Sequence, residues 1–232
     1  MKKILRLIWK IVKWGLIIFF SSSVFMVILY RFLNPPITPL IIIRCANQVF
    51  SGKEVKLKKD WVAIEEISPD LQLAVVASED NRFFEHHGFD LKAIEEAKSY
   101  NERKQGKRVH GASTISQQTA KNVFLWPQRS WVRKGLEVYF TGLIELFWSK
   151  KRIMEVYLNV IEMGDGIYGA ETASRLYYRK PAENLSRAEA AMLAAILPNP
   201  LRFSPFHPSA YVLDRQQWIM WNMNNIGKLE YP

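Results

Sequence analysis

The chain has 232 residues, enough for one domain with an appendage, and 49% of them are apolar, enough for one packed core. Cys45 is the only cysteine, which excludes an intramolecular disulfide, so the fold has to hold by its core. The formal net charge of +10 is unevenly placed and points to a partner only once it is divided along the chain.

The first predicted element is apolar. Trp14 to Tyr30 is a run of 17 positions without a charge, at the short end of what spans a bilayer. Lys13 and Arg31 flank it and can snorkel, lengthening it at both ends. Ile, Phe, Leu, Val and Met cover all its faces, unlike the single stripe of an amphipathic core helix. The run is too long for a signal-peptide core, and no small-x-small site follows it. The expectation is a retained membrane anchor. Lys2, Lys3, Arg6, Lys10 and Lys13 precede it, whereas Arg31 and Arg44 are the only basic residues shortly after it. The positive-inside rule then places the N-terminus in the cytoplasm and the rest outside.

Asn34-Pro35-Pro36 ends this helix, and residues 37–67 read as a juxtamembrane segment with extended character at Ile41–Ile43. Ser68-Pro69-Asp70 supplies an N-cap, an N1 proline and a first-turn acid, opening a helix expected to stop near Gly88. A helical stretch from about Leu91 fades into the polar NERKQGKRVHG loop. Thr114-x-x-Gln117 has the form of a capping box and starts a helix through Phe124. Trp131 to Asn159 reads as mostly helical, with Leu136, Phe140, Leu143 and Phe147 on one stripe and a break near Ser149. Gly164, Gly166 and Gly169 mark a turn before a short helix to about Tyr178. Ser186-x-x-Glu189 is another capping box, and its helix ends before Pro198. Strand-like alternation is sparse and there are no internal repeats. The expected fold class is mainly α.

From Lys98 to Lys134 nine cations stand against Glu102 alone: Lys98, Arg103, Lys104, Lys107, Arg108, Lys121, Arg129, Arg133 and Lys134. Any one of them alone reads best as part of a solvated face. Their concentration points to an anionic partner, and an exported domain meets little nucleic acid. Gln117 and Lys121 lie four apart on one helical face, with Gln118 and Asn122 on the next, a row of amides and an ammonium suited to phosphate or sugar hydroxyls. Glu79 is the strongest acid/base candidate. It follows Leu73 to Ala77, and apolar turns of this kind desolvate a carboxylate and raise its pKa. Asp80, about 100° round the helix, is expected to cap or orient rather than share the site. Glu137, four residues after Arg133, reads first as half of an intrahelical ion pair. His86 and His87 lack ligand spacing with another His or Cys, so zinc is not expected.

Five segments in order resemble the membrane-anchored peptidoglycan glycosyltransferases of family 51. They are Glu79 to Gly88 (EDNRFFEHHG), Gly111 to Asn122 (GASTISQQTAKN), Arg133 to Glu137 (RKGLE), Lys150 with Ile153 to Asn159, and Ala191 to Pro200 (AMLAAILPNP). The last looks like the monofunctional branch. Ser116 and Met154 stand where Thr and Leu are common, slight departures from the pattern.

The resemblance implies a lysozyme-like, bilobed helical domain behind one N-terminal transmembrane helix. It divides the chain into a cytoplasmic basic segment (1–13), a transmembrane helix (14–33), a juxtamembrane segment (34–67) and a glycosyltransferase domain (68–232). The implied reaction joins lipid II units into β-1,4-linked glycan with inversion and releases undecaprenyl pyrophosphate. Glu79 is the implied catalytic base and Glu137 the second functional glutamate, which either orients cations or holds a divalent ion. Lys121, Arg129, Arg133 and Lys134 would meet pyrophosphate charge. Gln117, Gln118, Asn122, Ser113 and Thr114 complete the implied substrate-binding set. No metal ligand is assigned and no cofactor is named with certainty; a divalent cation, magnesium or manganese, near the pyrophosphate is the one candidate. The implied partners are lipid II, the growing strand, the membrane and other cell-wall synthesis proteins, with the catalytic domain on the outer face of a bacterial inner membrane. No Ser-x-x-Lys or Lys-Thr-Gly occurs, so a penicillin-binding transpeptidase domain is not expected. Two rival readings are a glycan-cleaving enzyme, which has no pyrophosphate to neutralise, and a non-catalytic membrane scaffold.

Overall fold

A computed structural model describes residues 2–104 and 111–232. Most of the expected polar loop, with Lys107 and Arg108, lies outside the described residues. The described chain is mainly helical, behind one long apolar N-terminal helix.

Helix α1 runs from Lys2 to Phe32, longer than the uncharged run because its basic N-terminal segment is also helical. Most of α1 is exposed, but Ser23 and Val27 are buried against the helix Trp131–Phe147 (α6) and its end. The Ser23 and Tyr139 hydroxyls lie 2.7 Å apart, and Trp148 Nε1 donates to the Val27 carbonyl at 2.7 Å. Arg152 closes the end of α1 by donating to the carbonyls of Tyr30 (2.9 Å) and Leu33 (2.7 Å). Those are carbonyls the helix terminus leaves without an intrahelical partner.

Pro39–Phe50 (α2) corrects the extended character expected at Ile41–Ile43. Thr38 caps the helix through its side chain and Pro39 occupies N1, a start signal that outweighs the β-branched run. Packing decides the rest: Leu40 and Ile41 are buried against Tyr168. Three strands too short to leave an alternating pattern form a small sheet in the order β1 (Lys58–Lys59), β3 (Ile167–Tyr168), β2 (Glu162–Gly164). β1 pairs parallel and β2 antiparallel to β3.

Pro69–Glu79 (α3) starts at the Ser68 cap as expected but stops nine residues before Gly88. Asp80 ends it, because its carboxylate is captured by the Ile115 amide (3.0 Å) and by His86 Nε2 (2.8 Å). The chain then turns back through Gly88 at φ +88°, where a Cβ would meet Thr141 Cγ2 at 2.7 Å. Asp90 caps Leu91–Arg103 (α4). Ile115–Phe124 (α5) opens on the expected Thr114/Gln117 capping box, and the break at Ser149 separates α6 from Lys150–Val160 (α7). Ala170–Tyr178 (α8) and Arg187–Ile196 (α9) follow as expected, α9 from its own capping box. Ala210–Ile226 (α10) has no counterpart in the sequence reading. Its buried Val212, Ile219 and Met223 are masked in the sequence by the exposed Trp218 and Trp221.

The helices pack in two groups: α3 against α9 and α10, and α5 against α6 and α7. Every residue of α3 from Leu71 to Ala77 is buried, so its end is fixed in place. Glu79 stands at that end, facing α5 through Gln118.

Candidate active site

Glu79 is the last residue of α3, and its side chain is 15% exposed. One carboxylate oxygen accepts from Gln118 Nε2 at 2.9 Å; the other has the Ser78 hydroxyl at 3.4 Å and Arg215 Nη2 at 3.8 Å. The orientation of Gln118 is set from behind. The Tyr157 hydroxyl donates to Gln118 Oε1 at 3.2 Å, so the amide NH₂ turns towards Glu79. Burial, and then the charges of Glu79 and Asp80, push the Tyr157 hydroxyl well above its ordinary value, which keeps it a donor. Asp80 takes the orienting role expected of it, tying the end of α3 to the start of α5.

Glu137 is buried on α6 with both oxygens engaged. Arg133 Nη1 is 2.6 Å from one and Lys134 Nζ 2.5 Å from the other. The expected Arg133–Glu137 pair therefore forms, with Lys134 added. Arg133 is itself buried, and its Nε has no partner. Lys121 lies within electrostatic reach of both glutamates. Burial lowers its ammonium below the ordinary lysine value, Glu137 and Glu79 partly offset this, and Arg133 and Arg129 lower it further. Arg129 is exposed at the edge of this group.

The residues expected along α5 divide between two cavities. Ser113, Gln117 and Lys134 line one of about 750 Å³, with Ile94, Ala97 and Lys98 of α4 opposite. Gln118, Lys121 and Asn122 line a second of about 220 Å³. Gln117 and Lys121, four apart, thus do not line one cavity. Thr114 and one end of Gln117 are taken up locally. The Thr114 hydroxyl donates to the Gly88 carbonyl at 2.7 Å and accepts from the Gln117 amide at 3.1 Å, while Gln117 Oε1 accepts from the Thr114 amide at 3.0 Å.

Two arginines that the sequence reading did not single out also reach this site. Arg215 of α10 reaches Ser78 and Glu79, and Arg44 of α2 reaches the smaller cavity. No local pattern marks either one. The sequence spacing also gave no hint that ligand atoms of Asp80, His86 and Asp90 lie within 4.8 Å of one another. These groups are already engaged: His86 Nδ1 accepts from the Gly88 amide at 3.1 Å, Nε2 meets Asp80, and Asp90 accepts from Arg82 Nε at 2.8 Å. Glu137 is a poor divalent-ion ligand as arranged, since both its oxygens face cations and Lys121 adds a third nearby charge. The site thus sets Lys121, Arg133 and Lys134 near a carboxylate held by Gln118.

The family model described as Transglycosylase matches residues 47–224. The chain is 56% identical over 227 residues to the biosynthetic peptidoglycan transglycosylase of Bacteroides thetaiotaomicron, covering 98% of this chain and 89% of that one. It is 57% identical over 211 residues to the protein of that name from Bdellovibrio bacteriovorus, covering 90% and 84%. With the one from Pseudomonas entomophila it shares 49% over 217 residues, covering 94% and 91%.

Proposed function

The chain belongs to the transglycosylase family and is a peptidoglycan glycosyltransferase, and from that premise we propose that it polymerises lipid II into β-1,4-linked glycan strands with Glu79 as general base. The 4-hydroxyl of the acceptor GlcNAc attacks C1 of the donor MurNAc and gives its proton to the Glu79 carboxylate. The C1–O bond to undecaprenyl pyrophosphate breaks, and inversion follows because the attack comes from the opposite face. Pyrophosphate leaves as an anion, so its developing charge needs cations rather than a proton. Lys121, Arg133 and Lys134 supply that charge, with Arg129 at the rim, and Glu137 holds Arg133 and Lys134 in position. Gln118 and Asn122 position sugar or phosphate from one cavity and Ser113 and Gln117 from the other; Thr114 contributes by fixing the start of α5.

The observation that carries this reading is the Glu79 carboxylate held by Gln118, with the half-buried Lys121 close enough to sense its charge. A hydrolase acting on finished glycan has no use for the cationic half. In the same reading α1 anchors the protein in the bacterial inner membrane, with its N-terminus cytoplasmic and the domain after it on the outer face. The residues present carry no nucleophile motif for peptide cross-linking, and none is proposed for them.

Incubating the purified full chain with labelled lipid II and separating products by size tests the proposal. A ladder of lengthening glycans, with undecaprenyl pyrophosphate released, is expected. Lipid II left intact, or chains shortened from preformed glycan, would overturn it.

A further inference from the structure

The smaller cavity contains a cation that none of the five sequence motifs supplies. Arg44, on α2, lines it together with Gln118, Lys121 and Asn122. One end of its guanidinium is fixed: Nη2 donates to Glu162 at 2.9 Å, and the Tyr168 hydroxyl lies 3.5 Å from the other oxygen of Glu162. The Nε of Arg44 is buried and has no partner. That nitrogen is closed off from outside, so the donors a ligand in the cavity can reach are at the guanidinium tip, where Nη1 makes no hydrogen bond among the described residues and the side chain is 35% exposed.

The walls say which acceptor. Lys121 and Arg44 bring two positive charges against the single carboxylate of Glu162, while Leu40, Trp126 and Pro198 are apolar. The volume of about 220 Å³ lies below the roughly 300–1,000 Å³ that enclose a drug-sized ligand, so the cavity takes one part of a larger molecule. Residues 33–38 alone separate α1 from α2, and α2 packs against α5, which carries Lys121.

We propose that Arg44 is a substrate-binding residue that, with Lys121, holds a phosphate oxygen of the lipid-linked substrate in this cavity. Its identity as a lipid-linked substrate rests on the functional reading above; the affinity for phosphate does not. The tie of Nη2 to Glu162 pre-orients the guanidinium and leaves the Nη1 hydrogens as donors. The element next to the anchor thereby completes the anion site.

The test uses the full chain in detergent micelles, with inorganic pyrophosphate as a calorimetric probe and labelled lipid II as substrate. Arg44→Ala is expected to weaken pyrophosphate binding about tenfold and to raise KM for lipid II similarly. Its kcat should fall far less than in Lys121→Ala, because Glu162 already neutralises much of the Arg44 charge and leaves it to act mainly in binding. Arg44→Lys should fall between, keeping the charge but not the planar second donor. Unchanged pyrophosphate affinity and KM in Arg44→Ala would overturn the proposal. So would a fall in kcat with affinity intact, which would leave Arg44 only as a prop for α2. Arg44-dependent pyrophosphate binding by a protein that makes no glycan would sink the functional reading and uphold this one.

Discussion

Replacing Glu137 with Gln separates the two glutamates by stability as well as by rate. Glu137 is 4% exposed and neutralises Arg133 at 2.6 Å and Lys134 at 2.5 Å. Arg133 is 9% exposed, so the amide leaves its charge buried without compensation. Removing one member of a buried pair costs about 3–5 kcal/mol. The Lys134 side chain is 42% exposed, and solvent screening makes its share small. Gln also keeps one acceptor oxygen, which places the loss near the low end, about 3 kcal/mol. At roughly 2–4 °C per kcal/mol for a chain of this size, the unfolding midpoint should fall by about 6–12 °C. Glu79→Gln should move it far less, because the amide can keep the Gln118 contact and Arg215 stands 3.8 Å away. Rates should rank the other way, with Glu79→Gln losing the roughly 10²–10⁴-fold of a general base and Glu137→Gln retaining measurable polymerisation. Thermal unfolding in one detergent at one scan rate, alongside lipid II turnover at 25 °C, reads both. A Glu137→Gln protein with the parent midpoint and no activity, beside an active Glu79→Gln protein, would refute the assignment and put the base on α6.

Lys121→Ala should lower turnover on the order of 10²-fold with folding intact, as for one lost transition-state donor. A near-normal rate would make the basic segment a membrane-surface feature. Because burial lowers the Lys121 ammonium, the basic limb of the pH–rate profile should lie below the ordinary lysine value and move up in Lys121→Arg. The linkage has a definite sign: between the folded and unfolded lysine values the unfolded chain binds more protons, so this group makes stability rise with pH there, a rise that Lys121→Met should remove from pH-dependent unfolding curves. Tyr157→Phe removes the donor that orients Gln118, and should cut kcat by about tenfold while leaving KM within about twofold; an unchanged kcat would show that the amide orients itself. A reporter fused after Pro232 should be active only in the export compartment, and cytoplasmic activity would reverse the orientation proposed for α1.

What was legible in the sequence was local. Ser68-Pro69, Thr114/Gln117 and Ser186/Glu189 name their helix starts because a cap is made by residues within one turn. The break at Ser149 was readable for the same reason. Ile41–Ile43 misled because β-branched propensity is weak beside burial against Tyr168 and an N-terminal Thr-Pro start. The end of α3 was misplaced because Asp80 is captured by an amide 35 residues away, which no helix periodicity reveals. Glu79 was singled out by the apolar turns before it, and Gln118 and Lys121 by their helical faces in a cation-rich segment; the motif resemblance then supplied their expected roles. Arg44 and Arg215 were missed because each reaches the site from an element far along the chain.

The contacts of Arg152, Trp148 and Tyr139 with α1 have a mechanical consequence. A transmembrane segment joined to its domain by a flexible linker acts as a leash, and the domain samples many heights and tilts above the bilayer. Here three side chains from α6, its C-cap and α7 grip α1 from Ser23 to Leu33, so the helix works as a mast bolted along its upper part. With α1 as the proposed membrane anchor, any tilt of it in the lipid would pass to the domain as a rotation of the whole body. On that proposal bilayer thickness, by setting the tilt, would position Glu79 relative to the head-group plane.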